Sequence, residues 1–266
     1  VAVRAPELQG NVTRPYLQGP LPRVFAHRGF AAPGGDTVEN TLPAFAAALE
    51  LGVSHIETDV HCSRDGIAII SHDPDLSRLV GEHRQVFDLT YAELARLPLG
   101  PGAGFVSLAD ALSAFPTARF NIDIKVADAA LPAARAITAN AAAGRVLVTS
   151  FSDRRRRAAI AAIGDVATSA SAGSFLLALV AGTLGCTGGV RRALRGIDAV
   201  QVPERAAGLA VTTERVIARV HAAGAEMHVW TINDAASMHR LLDLGVDGII
   251  SDRADIAMAV VAERRS

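Results

Sequence analysis

The sequence predicts a single (β/α)8 barrel of the α/β class, and three observations carry that prediction. Short β-type runs recur with helical segments between them, the pattern of a parallel sheet with crossover helices. One pair of runs lies too close together for such a crossover and must fold back on itself. Polar residues gather at the C-terminal ends of the runs, where barrels of this kind carry their sites. With 266 residues, 50% of them hydrophobic, the chain can bury one large core, and a single barrel is a normal use of that length.

Nine β-type runs are expected, at 24–28, 55–61, 68–72, 119–125, 145–150, 166–171, 199–202, 226–232 and 248–251. Nine is one too many for the barrel, and the second connection resolves the excess. Residues 62–67, with Asp65-Gly66 among them, are a hairpin signal, whereas a parallel crossover needs roughly a dozen residues. The run 68–72 is therefore an antiparallel partner of 55–61, and the turn near Asp65 sets His72 opposite Glu57 or Thr58. A helix over 42–51 starts from Asn40 or Thr41, with Pro43 in its first turn. Helices over 212–223 and 234–244 stop at Gly224 and Gly245. The arginine run 154–157 is expected as the solvated first turn of a helix after Ser152-Asp153. Residues 74–105 form an insertion with one short helix, 90–97, and a Gly/Pro-rich tail; it is a candidate substrate lid. The domain reading is an N-terminal extension, 1–22, followed by the barrel, 23–266.

Composition narrows the partners. A net charge of −1 and a pI near 6.8 leave no electrostatic footprint for nucleic acid. Cys62 and Cys186 are too few for a disulfide framework, which points to a reducing setting. Arg4, Glu7 and Arg14 with no apolar core argue against a signal peptide, so a cytoplasmic protein is expected. The apolar stretch 174–186 is too short to span a bilayer and reads as a packing helix. Arg191, Arg192 and Arg195 follow it, so peripheral lipid contact is the second reading of that stretch. The oligomeric state is not legible.

Lys125 is the only lysine among 26 basic residues, and it lies in Asn121-Ile122-Asp123-Ile124-Lys125. Period-two alternation puts Asn121, Asp123 and Lys125 on one face. A tight interior favours a compact ammonium over a planar guanidinium fork. The first run ends in His27-Arg28-Gly29; the second carries Glu57 and Asp59 on one face; the hairpin return ends in His72-Asp73. Glu57, Asp59 and Asp123 turned into one barrel repel each other strongly unless a cation sits among them. An all-oxygen set selects one divalent ion, Mg²⁺, Ca²⁺ or Mn²⁺, over zinc. Two histidines, His27 and His72, beside that metal and the cations Arg28 and Lys125 suggest acid–base chemistry on a phosphate ester. Gly29 and the glycines after Pro33 are expected to let backbone amides approach the phosphate.

The ordered set His27-Arg28-Gly29, Glu39-Asn40-Thr41, Glu57-Thr58-Asp59-Val60, Asp65-Gly66 and His72-Asp73 closely resembles the glycerophosphodiester phosphodiesterases. Ile122 to Lys125, Trp230-Thr231-Ile232-Asn233 and Val246 to Asp252 extend the likeness over about residues 23–256. The resemblance implies a TIM-type barrel that hydrolyses a glycerophosphodiester to sn-glycerol 3-phosphate and an alcohol. It implies acid–base roles for His27 and His72, metal ligation by Glu57, Asp59 and Asp123, and phosphate contacts by Arg28 and Lys125. The third metal carboxylate is usually glutamate, and here it is the shorter Asp123. Trp230 is expected to pack in the core or line the substrate mouth, and Glu39 to pin its loop. A phospholipase D-like action on lysophospholipid or sphingolipid head groups is the alternative within the same superfamily. A non-enzymatic phosphodiester binder is the reading outside it, and its sign would be a missing histidine or carboxylate.

Overall fold

The computed structural model describes residues 14–32, 34–35, 37–206 and 208–265. Period-two alternation builds the nine strands of the main sheet: β1 Arg23–His27, β2 His55–Cys62, β3 Ala68–Ile70, β4 Arg119–Ile124, β5 Val146–Thr149, β6 Ala167–Thr168, β7 Ala199–Pro203, β8 Glu226–Trp230 and β9 Gly248–Ser251. Eight of them run parallel in the order β6-β5-β4-β2-β1-β9-β8-β7. The ring closes where Ser169 bridges Ala199 in parallel and Ala170 N donates to Ala199 O at 2.9 Å. The short connection after β2 is the expected hairpin, with Val60 opposite Ile70 and Cys62 opposite Ala68. Ser71 N still bonds Asp59 O at 3.0 Å, so His72 emerges at the rim close to Asp59.

Helices fill the crossovers: α1 Leu42–Glu50, α2 Leu108–Ala114, α3 Ala130–Ala139, α4 Asp153–Ile163, α5 Ala172–Thr183, α6 Thr187–Ala193, α7 Glu214–Ala222, α8 Ala235–Asp243 and α9 Ala254–Glu263. Thr41, Ser152, Thr213 and Asp234 cap α1, α4, α7 and α8 by accepting from backbone amides. Asn40 does not cap α1, because its side chain is used elsewhere. The arginine run is only partly solvated. Arg156 is buried, with Nη2 on Asp153 and Nη1 on Thr168 Oγ1.

Outward faces of the strands pack against the helices in two apolar clusters, one for each half of the ring. Inside the ring, the N-terminal end is filled by Phe25, Leu147, Ala167, Ala199 and Ile250 under Tyr16 and Leu17. Tyr16 and Leu17 sit in the short 3-10 turn Pro15–Leu17, and Tyr16 is fully buried. The described part of the expected extension is thus the barrel's floor plug, because an open floor would leave those apolar side chains in water. Residues 1–13 lie outside the described residues. The insertion has its own small core, including Ile69, Leu76, Val86, Leu89 and Leu94, and its predicted helix shortens to Tyr91–Leu94. No helix among the described residues is long and apolar enough to cross a membrane.

Candidate active site

At the end away from the plug, the C-terminal strand ends open into a cavity of about 540 Å³. All eight residues expected at the site line it: His27, Arg28, Glu57, Asp59, His72, Asp123, Lys125 and Trp230. Alternation explains the convergence, since Glu57 and Asp59 on β2 and Asp123 on β4 all point inward, with Asp59 and Asp123 in register.

Lys125 Nζ sits between two carboxylates, 2.8 Å from Asp59 Oδ1 and 2.7 Å from Asp123 Oδ2. Burial disfavours its charge, but Asp59 and Asp123 outweigh burial and hold its pKa above the ordinary lysine value. Asp59 Oδ2 also accepts from Asn40 Nδ2 (3.2 Å) and faces Arg28 Nε at 3.6 Å. Glu57 is almost fully enclosed, and burial together with the Asp59 charge pushes its carboxyl up to about 8. Burial likewise raises Asp123, against the pull of Lys125.

The two histidines have matching supports. His27 Nδ1–H donates to Asp252 Oδ1 (2.6 Å), and Asp252 Oδ2 accepts from Asn233 Nδ2 (2.8 Å). His27 Nε2 faces Glu57 Oε2 at 3.9 Å. Burial pulls the His27 imidazole down, but the Asp252 hydrogen bond and the Glu57 charge outweigh it and raise its pKa. His72 Nδ1–H donates to Asp73 Oδ1 (2.7 Å). A carboxylate on Nδ1 fixes tautomer and ring direction and leaves Nε2 for chemistry. His61 holds the His72 carbonyl through Nε2 (3.2 Å) and does not line the cavity.

Among the described residues, no three His, Cys, Asp or Glu side chains stand arranged as a ready metal site. The donor chemistry nevertheless fits a hard cation. Asp123 Oδ1 is buried without a hydrogen-bond partner, and Glu57 is pushed toward its neutral form by burial beside Asp59. A divalent ion relieves both, and oxygen ligands are what such ions take.

Some expectations change at residue level. Gly29 is required by helix packing: a Cβ there meets Ala44 backbone and Cβ at 2.8 Å, and its φ is +83°. Glu39 pins the loop, accepting from Arg28 Nη1 at 3.0 Å. Pro33 lies outside the described residues, and Gly34 and Gly35 do not line the cavity. None of the insertion's residues lines it either, so the lid expectation finds no contact here. Sequence reasoning missed Asp252, Asn233 and Asn40 as supports. Each acts across the barrel or through a left-handed turn (Asn40, φ 58°), which spacing along the chain does not reveal.

Barrel, paired histidines and clustered carboxylates together define a (β/α)8-barrel phosphodiesterase. The glycerophosphoryl diester phosphodiesterase family model matches residues 27–256. A probable glycerophosphodiester phosphodiesterase 2 of Mycobacterium tuberculosis is 42% identical over 240 residues, covering 90% of each chain. The fold matches a putative glycerophosphoryl diester phosphodiesterase from Silicibacter pomeroyi with a TM-score of 0.76 at 20% identity, covering 97% of this chain and 96% of that one. It also matches an Oleispira antarctica phosphodiesterase, solved with its product sn-glycerol-3-phosphate, with a TM-score of 0.70 at 23% identity, covering 91% and 97%. The chain belongs to the glycerophosphoryl diester phosphodiesterase family and is an enzyme of it.

Proposed function

We propose that this enzyme hydrolyses glycerophosphodiesters to sn-glycerol 3-phosphate and an alcohol, with His27 and His72 as the acid–base pair and one divalent metal ion. The observation that carries the reading is the shared cavity. Of eight histidines only these two line it, beside three carboxylates and two cations. One imidazole takes the proton of the attacking oxygen, which is a neighbouring glycerol hydroxyl of the substrate or a water. The other gives its proton to the departing alkoxide. Arg28 and Lys125 place fixed positive charge where the phosphate gathers negative charge in the transition state. Glu57, Asp59 and Asp123 would hold Mg²⁺, Ca²⁺ or Mn²⁺, which when bound polarises a phosphate oxygen as a Lewis acid.

A second reading has its own observation. Phe151, Phe175, Leu176, Leu179 and Trp230 give one side of the cavity an apolar wall. Phe151 and Leu176 are each 59% exposed, and Leu177, Val180 and Leu184 continue that surface along α5. This favours a phospholipase D-like action on amphiphilic lysophospholipid or sphingolipid head groups, with peripheral lipid contact through α5 near Arg191, Arg192 and Arg195. Cys62 and Cys186 are free thiols, in keeping with a cytoplasmic setting.

The test is a panel of glycerophosphocholine, glycerophosphoethanolamine, glycerophosphoinositol and a lysophospholipid, with products identified by phosphorus NMR. Release of sn-glycerol 3-phosphate from the first three supports the main reading, and preferred lysophospholipid cleavage supports the second. EDTA should abolish turnover and Mg²⁺, Ca²⁺ or Mn²⁺ restore it; full activity in EDTA after exhaustive dialysis removes the metal from the scheme. Independently of activity, the restoring ion should raise Tm of the parent and not of Asp59→Asn.

A further inference from the structure

Arg78 belongs to the insertion, yet its side chain ends among groups that support the site. Leu76 beside it is fully buried in the insertion's own core, and Gly81 closes the turn Ser77–Val80, so the backbone beneath Arg78 is fixed. From there the guanidinium forks. Nε donates to Asp73 Oδ2 (2.5 Å), and Nη2 donates to Glu39 Oε1 (2.6 Å). The other Asp73 oxygen holds His72 Nδ1–H, and the same Glu39 oxygen holds Arg28 Nη1. Among the described residues, the Asp73 carboxylate has no donor besides His72 and Arg78, and Glu39 none besides Arg28 and Arg78.

We propose that Arg78 is a positioning residue of the hydrolytic site, orienting His72 through Asp73 and Arg28 through Glu39 without touching substrate. The proposal rests on the roles assigned above to His72 and Arg28, and it gives the insertion a part in catalysis although it does not line the cavity. The Arg78 side chain is 48% exposed, and ion pairs that open add little to folding. What the fork supplies is geometry: a planar guanidinium fixes two carboxylates at a set angle, which a point-charge ammonium cannot do. Misplacing a catalytic group by roughly 1 Å costs up to about 100-fold in rate.

The experiment compares the parent, Arg78→Ala and Arg78→Lys on glycerophosphocholine with the restoring metal, and follows Tm alongside. Arg78→Ala should lower kcat by about 10- to 100-fold through the His72 arm and raise KM through the Arg28 arm, with Tm unchanged. Arg78→Lys should recover only part of the loss, and added methylguanidinium should partly restore Arg78→Ala. A kcat and KM within twofold of the parent overturns the proposal. So does a loss that follows a lowered Tm and ignores methylguanidinium, because that marks a merely structural arginine. Turnover by the parent tests the functional reading separately. If the parent is inactive, a crystal structure of Arg78→Ala decides: displaced His72 and Arg28 side chains support the positioning role, and unmoved ones overturn it.

Discussion

At the residue scale, the ammonium of Lys125 touches two carboxylates at 2.7–2.8 Å with its side chain 21% exposed. That interior accepts a compact charge. Lys125→Arg keeps the charge but adds bulk and a planar donor array, so it should be nearly as damaging as Lys125→Ala. Both should lower kcat/KM by about 100-fold or more, the scale of one lost preorganised charge, with circular dichroism and Tm unchanged. An Arg variant within a few-fold of the parent would mean the size constraint is absent. The placement of Lys125 was legible because alternation is local: three polar residues two apart must share a face. Asp252 was not, because it meets His27 only when β9 closes on β1, 225 residues away. Asp252→Asn keeps the shape but can turn the His27 ring to the wrong tautomer. It should cut kcat at least tenfold, as losing an imidazole's orienting carboxylate does elsewhere, with KM little changed in steady-state assays.

At the element scale, the hairpin that brings β3 back on β2 was legible, since Asp65-Gly66 and the short gap are local signals. The sequence leaves its register between two alternatives, and the strand stops at Ile70, two residues short of the expected run. The fifth parallel strand, β6, was legible only in outline. Ala167 and Thr168 pair with β5 and Ser169 only bridges Ala199, where six strand residues were expected, and Ser171 is already the cap of α5, accepting from Ser174 N. Glycine roles were the least legible, as two positions show. Gly29 and Gly66 both have positive φ, +83° and +76°, but a Cβ at Gly66 meets nothing within 4 Å while one at Gly29 strikes α1. Gly66→Ala should therefore cost only the backbone strain, about 1–2 kcal/mol. Gly29→Ala adds overpacking between the end of β1 and α1, about 1–3 kcal/mol more. Urea unfolding of the two variants should separate them by that margin, and equal losses would mean that α1 yields freely.

At the scale of the whole molecule, the barrel's two ends do different work, and the floor is held by a buried pair spanning the interior. Arg23 on β1 donates through Nε and Nη2 to Glu226 on β8 at 2.7 and 2.8 Å, and Nη2 also caps the Leu17 carbonyl of the plug. No period or spacing announces a contact 203 residues apart, so this network was invisible in the sequence; only barrel closure makes it. His228 shares the Glu226 carboxylate at 3.0 Å, and Tyr16, Asp198 and His221 also feel its charge. Burial opposes the Glu226 charge, but hydrogen bonds from Arg23 and His228 prevail and depress its pKa from 4.5 to about 2. A carboxylate depressed on folding contributes stability that is full above its unfolded pKa and lost as pH falls through the folded one. The window here is pH 4.5 down to about 2, and the depression corresponds to about 3 kcal/mol. Glu226→Gln removes the charge while leaving Arg23 buried, so at pH 7 it should cost about 3 kcal/mol or somewhat more. Near pH 2 the parent's carboxylate is itself about half protonated, and the difference should shrink. Urea unfolding between pH 2 and 7 should therefore show two curves that converge in acid. A constant offset over that range would mean the Glu226 charge is not what holds the floor of the barrel.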